Sequence, residues 1–211
     1  MSITDPMLTD TFLRVIEYLG TFTFAVSGIR HAATKNFDWF GGFVCGITVA
    51  IGGGTVRDLM LGLTPFWMTN GMYMLSALFA QVFVIVFSRY LKYLDNTWFV
   101  FDTIGLALFT IVGIEKTLMC GYPFWLAIAM GCITGSAGGI IRDLLLNTTP
   151  IIFQKEFYAM TTVVGGLIYW FLIYIGAGVK VTSLVTFAVI CILRYLAVRY
   201  DLSLPKLKSE E

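Results

Sequence analysis

Two short stretches combine residue types that are unusual inside an apolar segment. GGGTVRDLML (52–61) and GGIIRDLLL (138–146) each place adjacent glycines a few residues before an arginine and an aspartate. A charge in a membrane interior costs at least about 2.5–3.5 kcal/mol, so each charged group needs a partner or water. Neighbouring residues on a helix point about 100° apart, so we expect that Arg57 and Asp58 do not neutralise each other.

The glycines could bind a ligand through the backbone. Each glycine weakens a helix by about 1 kcal/mol relative to alanine, and both stretches lie near the middle of an apolar segment. A helix that opens there exposes carbonyls, which suit a cation, and amides, which suit a carboxylate. The residues concerned are Gly52, Gly53 and Gly54 in the first stretch, and Gly138 and Gly139 in the second. Close packing of neighbouring helices is the alternative explanation.

The composition around these stretches is that of a membrane protein. Of the 211 residues, 58% are hydrophobic and 13% are charged, and the mean hydropathy is +0.83. A soluble domain usually has about a quarter charged residues. The net charge of +1 gives no basic face for nucleic acid. The four cysteines lack CxxC spacing, and no nucleophile–histidine set shares a depth, so we expect no metal, no cofactor and no enzyme activity.

Seven apolar segments reach the length of about 20 residues that crosses a membrane. They are residues 12–30, 39–62, 68–90, 98–116, 124–146, 157–176 and 181–199. We predict one all-α transmembrane domain over residues 1–200 and a polar cytoplasmic tail over 201–211. Lysine and arginine are concentrated on the face that carries the C-terminus. This bias predicts an N-terminus outside and a C-terminus in the cytoplasm. We expect the cell inner (plasma) membrane as the location.

The two stretches belong to an internal duplication. Aligning Arg57 with Arg142 sets an offset of 85 residues that holds without gaps along three spans. The further matches include Gly20 with Gly105, Phe24 with Phe109, Gly28 with Gly113, Thr64-Pro65 with Thr149-Pro150, and Tyr73 with Tyr158. Repeat one covers about 12–90, repeat two about 97–176, and a seventh helix at about 181–199 stands outside. Because each repeat has three spans, the second copy is inverted in the membrane.

Each arginine has an acid at its own depth. Glu17 and Arg57 are predicted near one face of the membrane, and Asp102 and Arg142, at the same offset, near the other. We therefore predict two ion pairs, one within each repeat, with Asp58 and Asp143 next to them. Ion pairs that only lock helices together are the alternative to a role in transport.

Other polar side chains are assigned by their position. Thr48, Thr55, Thr134 and Ser136 are candidates for lining a path, although such hydroxyls often bond to carbonyls of their own helix. His31 and Lys116 are predicted at membrane edges, in contact with headgroups or water.

With these motifs, the chain resembles the bacterial branch of the trimeric intracellular cation (TRIC) channel family, also labelled a glycine-transporter-domain membrane family. The resemblance rests on GGGTVRDLMLG, GSAGGIIRDLLLNTTP, the inverted repeats and the seventh helix, and covers about residues 12–200. It implies a homotrimer with one pore per protomer, lined by the second and fifth helices, which kink at the glycines. It also implies monovalent cations, chiefly K⁺, as permeant ions; Na⁺ and bound lipid are further candidate ligands.

Three functions remain open at this stage. The first is a potassium-permeable cation channel, in which Glu17 and Asp102, or Asp58 and Asp143, neutralise the arginines. The rival is a secondary transporter of glycine or another small zwitterion, with backbone amides holding its carboxylate. The third is a scaffold in which the glycines only pack. Inverted repeats with central glycines serve both of the first two functions, so sequence does not separate them.

Overall fold

Ten helices make up almost all of the chain that the computed structural model describes, which is residues 6–92, 97–154 and 157–200. They are α1 (Pro6–Thr34), α2 (Trp39–Met60), α3 (Phe66–Thr69), α4 (Met72–Val86), α5 (Ser88–Lys92), α6 (Thr97–Met119), α7 (Phe124–Leu145), α8 (Ile151–Gln154), α9 (Phe157–Tyr174) and α10 (Val179–Arg199). The predicted tail at 201–211 lies outside the described residues.

Six of the seven predicted spans are single long helices. α1, α2, α6, α7, α9 and α10 are each long and apolar enough to cross a membrane. The third predicted span, 68–90, is divided among α3, α4 and α5. The Asn70 side chain accepts a hydrogen bond from the backbone N–H of Met72 at 2.9 Å, which starts a new helix at this point. The 15 residues of α4 are about 22 Å long at 1.5 Å per residue.

Short connections make the long helices alternate in direction. One end of the bundle, here called the first face, carries the end of α2, the α6–α7 connection and the α9–α10 connection. The opposite end, the second face, carries the α1–α2 connection and the C-terminal end of α10. Helices α1, α2 and α4 form repeat one and α6, α7 and α9 form repeat two. Across the repeats, α1 packs on α6 and α2 on α7.

An aromatic pair lies where the two repeats meet. Phe24 of α1 and Phe109 of α6 are equivalent by the 85-residue offset, and their rings stack with centroids 5.3 Å apart. Gly20 and Gly105 face these rings, and a methyl group on Gly20 would lie 3.1 Å from the Phe109 ring. The pair is almost fully buried. The centre of the molecule is therefore an apolar, closely packed layer.

The glycine stretches do not open their helices. α2 is helical from Trp39 to Met60, and α7 from Phe124 to Leu145, so the expectation of exposed carbonyls and amides at the glycines is wrong. The reason is a close helix crossing. A methyl group on Gly138 would lie 2.6 Å from the carbonyl oxygen of Val49, and one on Gly53 would overlap the carbonyl oxygen of Thr134.

Helix α10, outside the duplication, packs on α9 and α6. Its buried face carries an unusual number of polar groups: Thr182, Ser183, Thr186 and Arg194, with Ile190 between them. Gly165 of α9 permits the approach, because a methyl group there would lie 2.5 Å from Ile190. The seventh span is thus part of the core of repeat two.

Candidate functional site: two charged clusters

The charged residues gather in two clusters, one near each face of the bundle. Cluster one, toward the first face, is Glu17, Arg57, Asp58, Tyr73 and Lys116. Cluster two, toward the second face, is His31, Asp102, Arg142, Asp143, Tyr158 and Arg194. The clusters correspond by the 85-residue offset, except for Arg194.

In cluster one, Glu17 is the shared acceptor. Arg57 Nη2 lies 3.5 Å from Glu17 Oε1, and Lys116 Nζ lies 2.5 Å from the same oxygen. The Tyr73 hydroxyl donates to Glu17 Oε2 at 2.7 Å. The Glu17 carboxylate is buried yet has contacts with two cations and a hydroxyl, which compensate the loss of water. The structure therefore brings together Glu17 and Arg57, which the sequence predicted as a pair.

In cluster two, Arg142 is the shared donor. Its Nη1 donates to Asp102 Oδ1 and, at 3.0 Å, to Ser27 Oγ. Asp102 and Arg142, the second predicted pair, are both fully buried. The guanidinium of Arg142 also lies 5.2 Å from the Trp98 ring centroid, and Trp98 stacks on His31 at 4.6 Å. Cluster two is therefore enclosed by aromatic rings.

The adjacent arginine and aspartate do bond to each other, contrary to our expectation. Arg57 Nε donates to Asp58 Oδ1 at 2.8 Å, and Arg142 Nε to Asp143 Oδ1 at 2.9 Å. The second carboxylate oxygen explains this geometry. Asp58 Oδ2 accepts from the backbone N–H of Phe66 at 2.7 Å, and Asp143 Oδ2 from that of Ile151 at 3.0 Å. Each aspartate is thus fixed at the start of a short helix, within reach of the flexible arginine.

The four candidate hydroxyls bond to carbonyls four residues earlier on their own helices. The bonds are Thr48 to Val44 (2.7 Å), Thr55 to Ile51 (2.7 Å), Thr134 to Met130 (2.6 Å) and Ser136 to Cys132 (2.7 Å). This is the common behaviour of hydroxyls in membrane helices. None of the four donates its proton to a ligand path in this structure.

The expectation that Lys116 and His31 contact headgroups or water is wrong. Lys116 reaches Glu17, and His31 Nδ1 lies 3.8 Å from Asp143 Oδ1. Both residues lie in the last turn of the first helix of their repeat, and they are equivalent by the 85-residue offset. Each therefore joins the cluster of the other repeat, and the 85-residue alignment of the two repeats could have predicted this. The role of Arg194 could not be predicted in the same way, because α10 has no counterpart in the duplication.

A cavity of about 620 Å³ reaches cluster one. Glu17, Asp58, Tyr73 and Lys116 are among the side chains that line it. The cavity is large enough for a small solute or a hydrated ion. Its lining includes Phe66, whose ring is 6.2 Å from that of Phe109. The lining of the cavity is therefore in contact with the central aromatic pair.

Metal-binding geometry is not found in the part of the chain that the structure describes. No group of three or more His, Cys, Asp or Glu residues there could hold a metal ion. The four cysteines, Cys45, Cys120, Cys132 and Cys191, are free. The chemistry of the site thus comes from its carboxylates, cations and hydroxyls.

An inverted-repeat membrane protein with buried charges beside a cavity is typical of the channel and transporter class. A family model described as "Glycine transporter" matches residues 14–89 and again 99–174, each boundary shifted by the 85-residue offset. A UPF0126 membrane protein of Vibrio cholerae is 36% identical over 202 residues, covering 94% of this chain and 84% of the relative. The UPF0126 inner membrane protein YadS of Escherichia coli is 34% identical, covering 93% and 96%. The chain therefore belongs to the family of the "Glycine transporter" model, whose relatives here are named UPF0126 membrane proteins.

Solved structures identify the fold as that of TRIC channels. A TRIC channel orthologue from Rhodobacter sphaeroides superposes with a TM-score of 0.85 at 33% identity, covering 91% of this chain and all of the other. A prokaryotic TRIC channel in 0.5 M KCl gives a TM-score of 0.83 at 26% identity, covering 92% and 99%. The chain is thus a member of the TRIC family, as its motifs indicated, and these neighbours are described as channels.

Proposed function

We propose that the protein is a passive, potassium-permeable channel for monovalent cations, with one path through each protomer of a homotrimer. The observation that carries this proposal is the 620 Å³ cavity with the buried carboxylates of Glu17 and Asp58 in its lining. Carboxylates in a low-dielectric wall raise the local concentration of cations. Solved relatives at 33% identity are described as TRIC cation channels, which supports the same function.

The arginines near the path need not repel cations. In cluster one, the charges of Arg57 and Lys116 are matched by those of Glu17 and Asp58. The ammonium of Lys116 contacts Glu17 Oε1, and both residues line the cavity. A permeant cation would compete for this oxygen, so displacement of Lys116 would open the first step of the path.

Beyond cluster one, the path runs between the repeats. It passes the Phe24–Phe109 layer, flanked by α2 and α7 at their glycine crossing, and continues to cluster two at the second face. Apolar constrictions of this kind gate channels by excluding water. In this proposal Gly52, Gly53, Gly54, Gly138 and Gly139 shape the walls by letting α2 and α7 approach closely.

The setting of the channel is part of the proposal. The relative YadS is described as an inner membrane protein, and the lysine and arginine bias favours the first face outside. Cations would then enter cluster one from outside and leave past cluster two into the cytoplasm. K⁺ is the proposed main ion, with Na⁺ as a second, and membrane lipid surrounds the trimer.

A second candidate function is the transport of glycine or another small zwitterion. The description of the matching family model favours it, and so does the cavity, since Lys116 and Glu17 present both signs of charge to one small solute. A carrier changes conformation for each solute it moves, on a scale of microseconds to milliseconds. A channel passes many ions in each opening.

This difference in rate defines the experiment. Purified protein is inserted in planar bilayers under a KCl gradient, and glycine uptake is measured in parallel in proteoliposomes. Unitary current steps whose reversal potential follows the K⁺ gradient are the expected result. Saturable uptake of radiolabelled glycine without any current steps would contradict the channel and favour the carrier.

A further inference from the structure

The two clusters are not balanced in the same way. Cluster one sets two acids, Glu17 and Asp58, against two cations, Arg57 and Lys116. Cluster two also has two acids, but the position equivalent to Lys116 is His31. A histidine with an ordinary pKa of about 6.5 is mostly neutral above pH 7. Without Arg194, cluster two therefore has one positive charge fewer than cluster one.

Arg194 of α10 lies where this charge is missing. Its Nη2 is 4.0 Å from Asp102 Oδ2, and its guanidinium lies 4.5 Å from the ring centroid of Tyr158 and 4.7 Å from that of Phe99. Arg194 and Asp102 are both almost fully buried. Among the described residues, Asp102 Oδ2 and the Nε and Nη2 of Arg194 have no hydrogen-bond partner. A charge buried in this way needs an opposite charge close by.

We propose that Arg194 is a positioning residue of the path, supplying cluster two with the charge that Lys116 supplies to cluster one. Its cation lies opposite the second carboxylate oxygen of Asp102 and so helps to keep Arg142 bridged between Asp102 and Asp143. The seventh helix thereby has a role: it completes an electrostatic site that the duplicated helices leave incomplete. Phe99 and Tyr158 hold the guanidinium in place by cation–π contacts.

Charge compensation tests this proposal. Arg194→Gln should lower the melting temperature of the purified protein by roughly 5–10 °C, because it leaves the two buried acids of cluster two, Asp102 and Asp143, with one arginine instead of two. His31→Lys in the otherwise unchanged protein should also lower it, because it adds a surplus charge. In the Arg194→Gln background, His31→Lys should instead raise it, since Lys116 shows that a lysine at this position reaches the acid of the partner repeat.

Two further variants keep the test decisive. Arg199→Gln is the matched control: Arg199 lies on the exposed end of the same helix, where it donates to the Tyr195 hydroxyl at 3.0 Å, and its loss should leave the melting temperature unchanged. Asp102→Asn combined with Arg194→Gln should lose less stability than the sum of the two single variants, because removing one acid and one cation together keeps the charges of cluster two balanced. The proposal is overturned if Arg194→Gln and Arg199→Gln have the same melting temperature. It is also overturned if His31→Lys lowers the melting temperature of the wild-type protein and of the Arg194→Gln variant by the same amount.

A current measurement extends the test and rests on the proposed channel function. Arg194→Gln should reduce the K⁺ current in planar bilayers, and addition of His31→Lys should restore it. If the melting temperatures show compensation while the wild-type protein passes no current, the role of Arg194 in cluster two stands and the channel function fails. If the wild-type protein conducts, and His31→Lys restores neither the melting temperature nor the current of Arg194→Gln, the channel function stands and the proposed role of Arg194 fails.

Discussion

Each arginine at the glycine stretches joins an acid on another helix to the aspartate beside it. Arg142 contacts Asp102 of α6 and Asp143 of its own helix, while Asp143 holds the start of α8. The pairing with Asp102 could be predicted from the sequence, because depth in the membrane leaves few partners. The bond between Arg142 and Asp143 could not be predicted, because it depends on the backbone N–H of Ile151, eight residues later, which fixes the Asp143 carboxylate.

The Asp102–Arg142 pair should show strong coupling in stability. Asp102→Asn or Arg142→Gln alone should cost about 3–5 kcal/mol of unfolding free energy, because each leaves a buried charge without its partner. The double variant should cost clearly less than the sum. Thermal unfolding of the four proteins in one detergent measures the cycle, and additive losses would contradict the pairing.

At the scale of the helices, the spans and the duplication followed from hydropathy and the 85-residue offset. The sequence did not predict that α2 and α7 remain continuous helices through their glycines. Intrinsic propensity says that glycines weaken a helix, but here the contact between Gly53 and the Thr134 backbone, and between Gly138 and the Val49 backbone, decides the local structure. The third span was also misjudged, since the side chain of Asn70 starts α4 inside an apolar run.

The glycine crossing makes a direct prediction. Gly53→Ala and Gly138→Ala should each destabilise the protein by about 3 kcal/mol or more, because the new methyl group meets backbone that cannot rotate away. Gly71→Ala is the control, since nothing lies within 4 Å of that position and its φ is −64°. Melting temperatures compare the three. Equal values for Gly53→Ala and Gly71→Ala would show that the helices do not need this approach.

In the whole molecule, the repeats exchange residues across their boundary. Lys116 of repeat two completes cluster one, His31 of repeat one reaches cluster two, and the Phe24–Phe109 pair lies between them. The overall architecture was predictable, because inverted repeats leave a pattern in the chain. The exchange of Lys116 and His31 between the clusters could be predicted only by extending the alignment to residues outside the two motifs. The contact of Arg194 with Asp102 could be found only from the packing of α10.

The proposed trimer can be tested through its mass and its currents. Native mass spectrometry in mild detergent should give three chains of 23.5 kDa each. Because each protomer contains its own cavity, single-channel records should show up to three equal current levels that open independently. A monomer in every detergent, or one indivisible level, would contradict a trimer with separate paths.

The central claim, that Glu17 and Lys116 act on cations at the entry of the path, is tested most directly by unitary K⁺ currents. Lys116→Gln should raise the current and Glu17→Gln should lower it, each by about two- to fivefold, since a unit charge at 4 Å contributes about 1 kcal/mol even at the dielectric constant of water. Lys180→Gln, an exposed lysine on the same face, is the control. If Lys116→Gln and Glu17→Gln both passed the same unitary current as the wild-type protein, the proposed role of Glu17 and Lys116 at the entry would be contradicted.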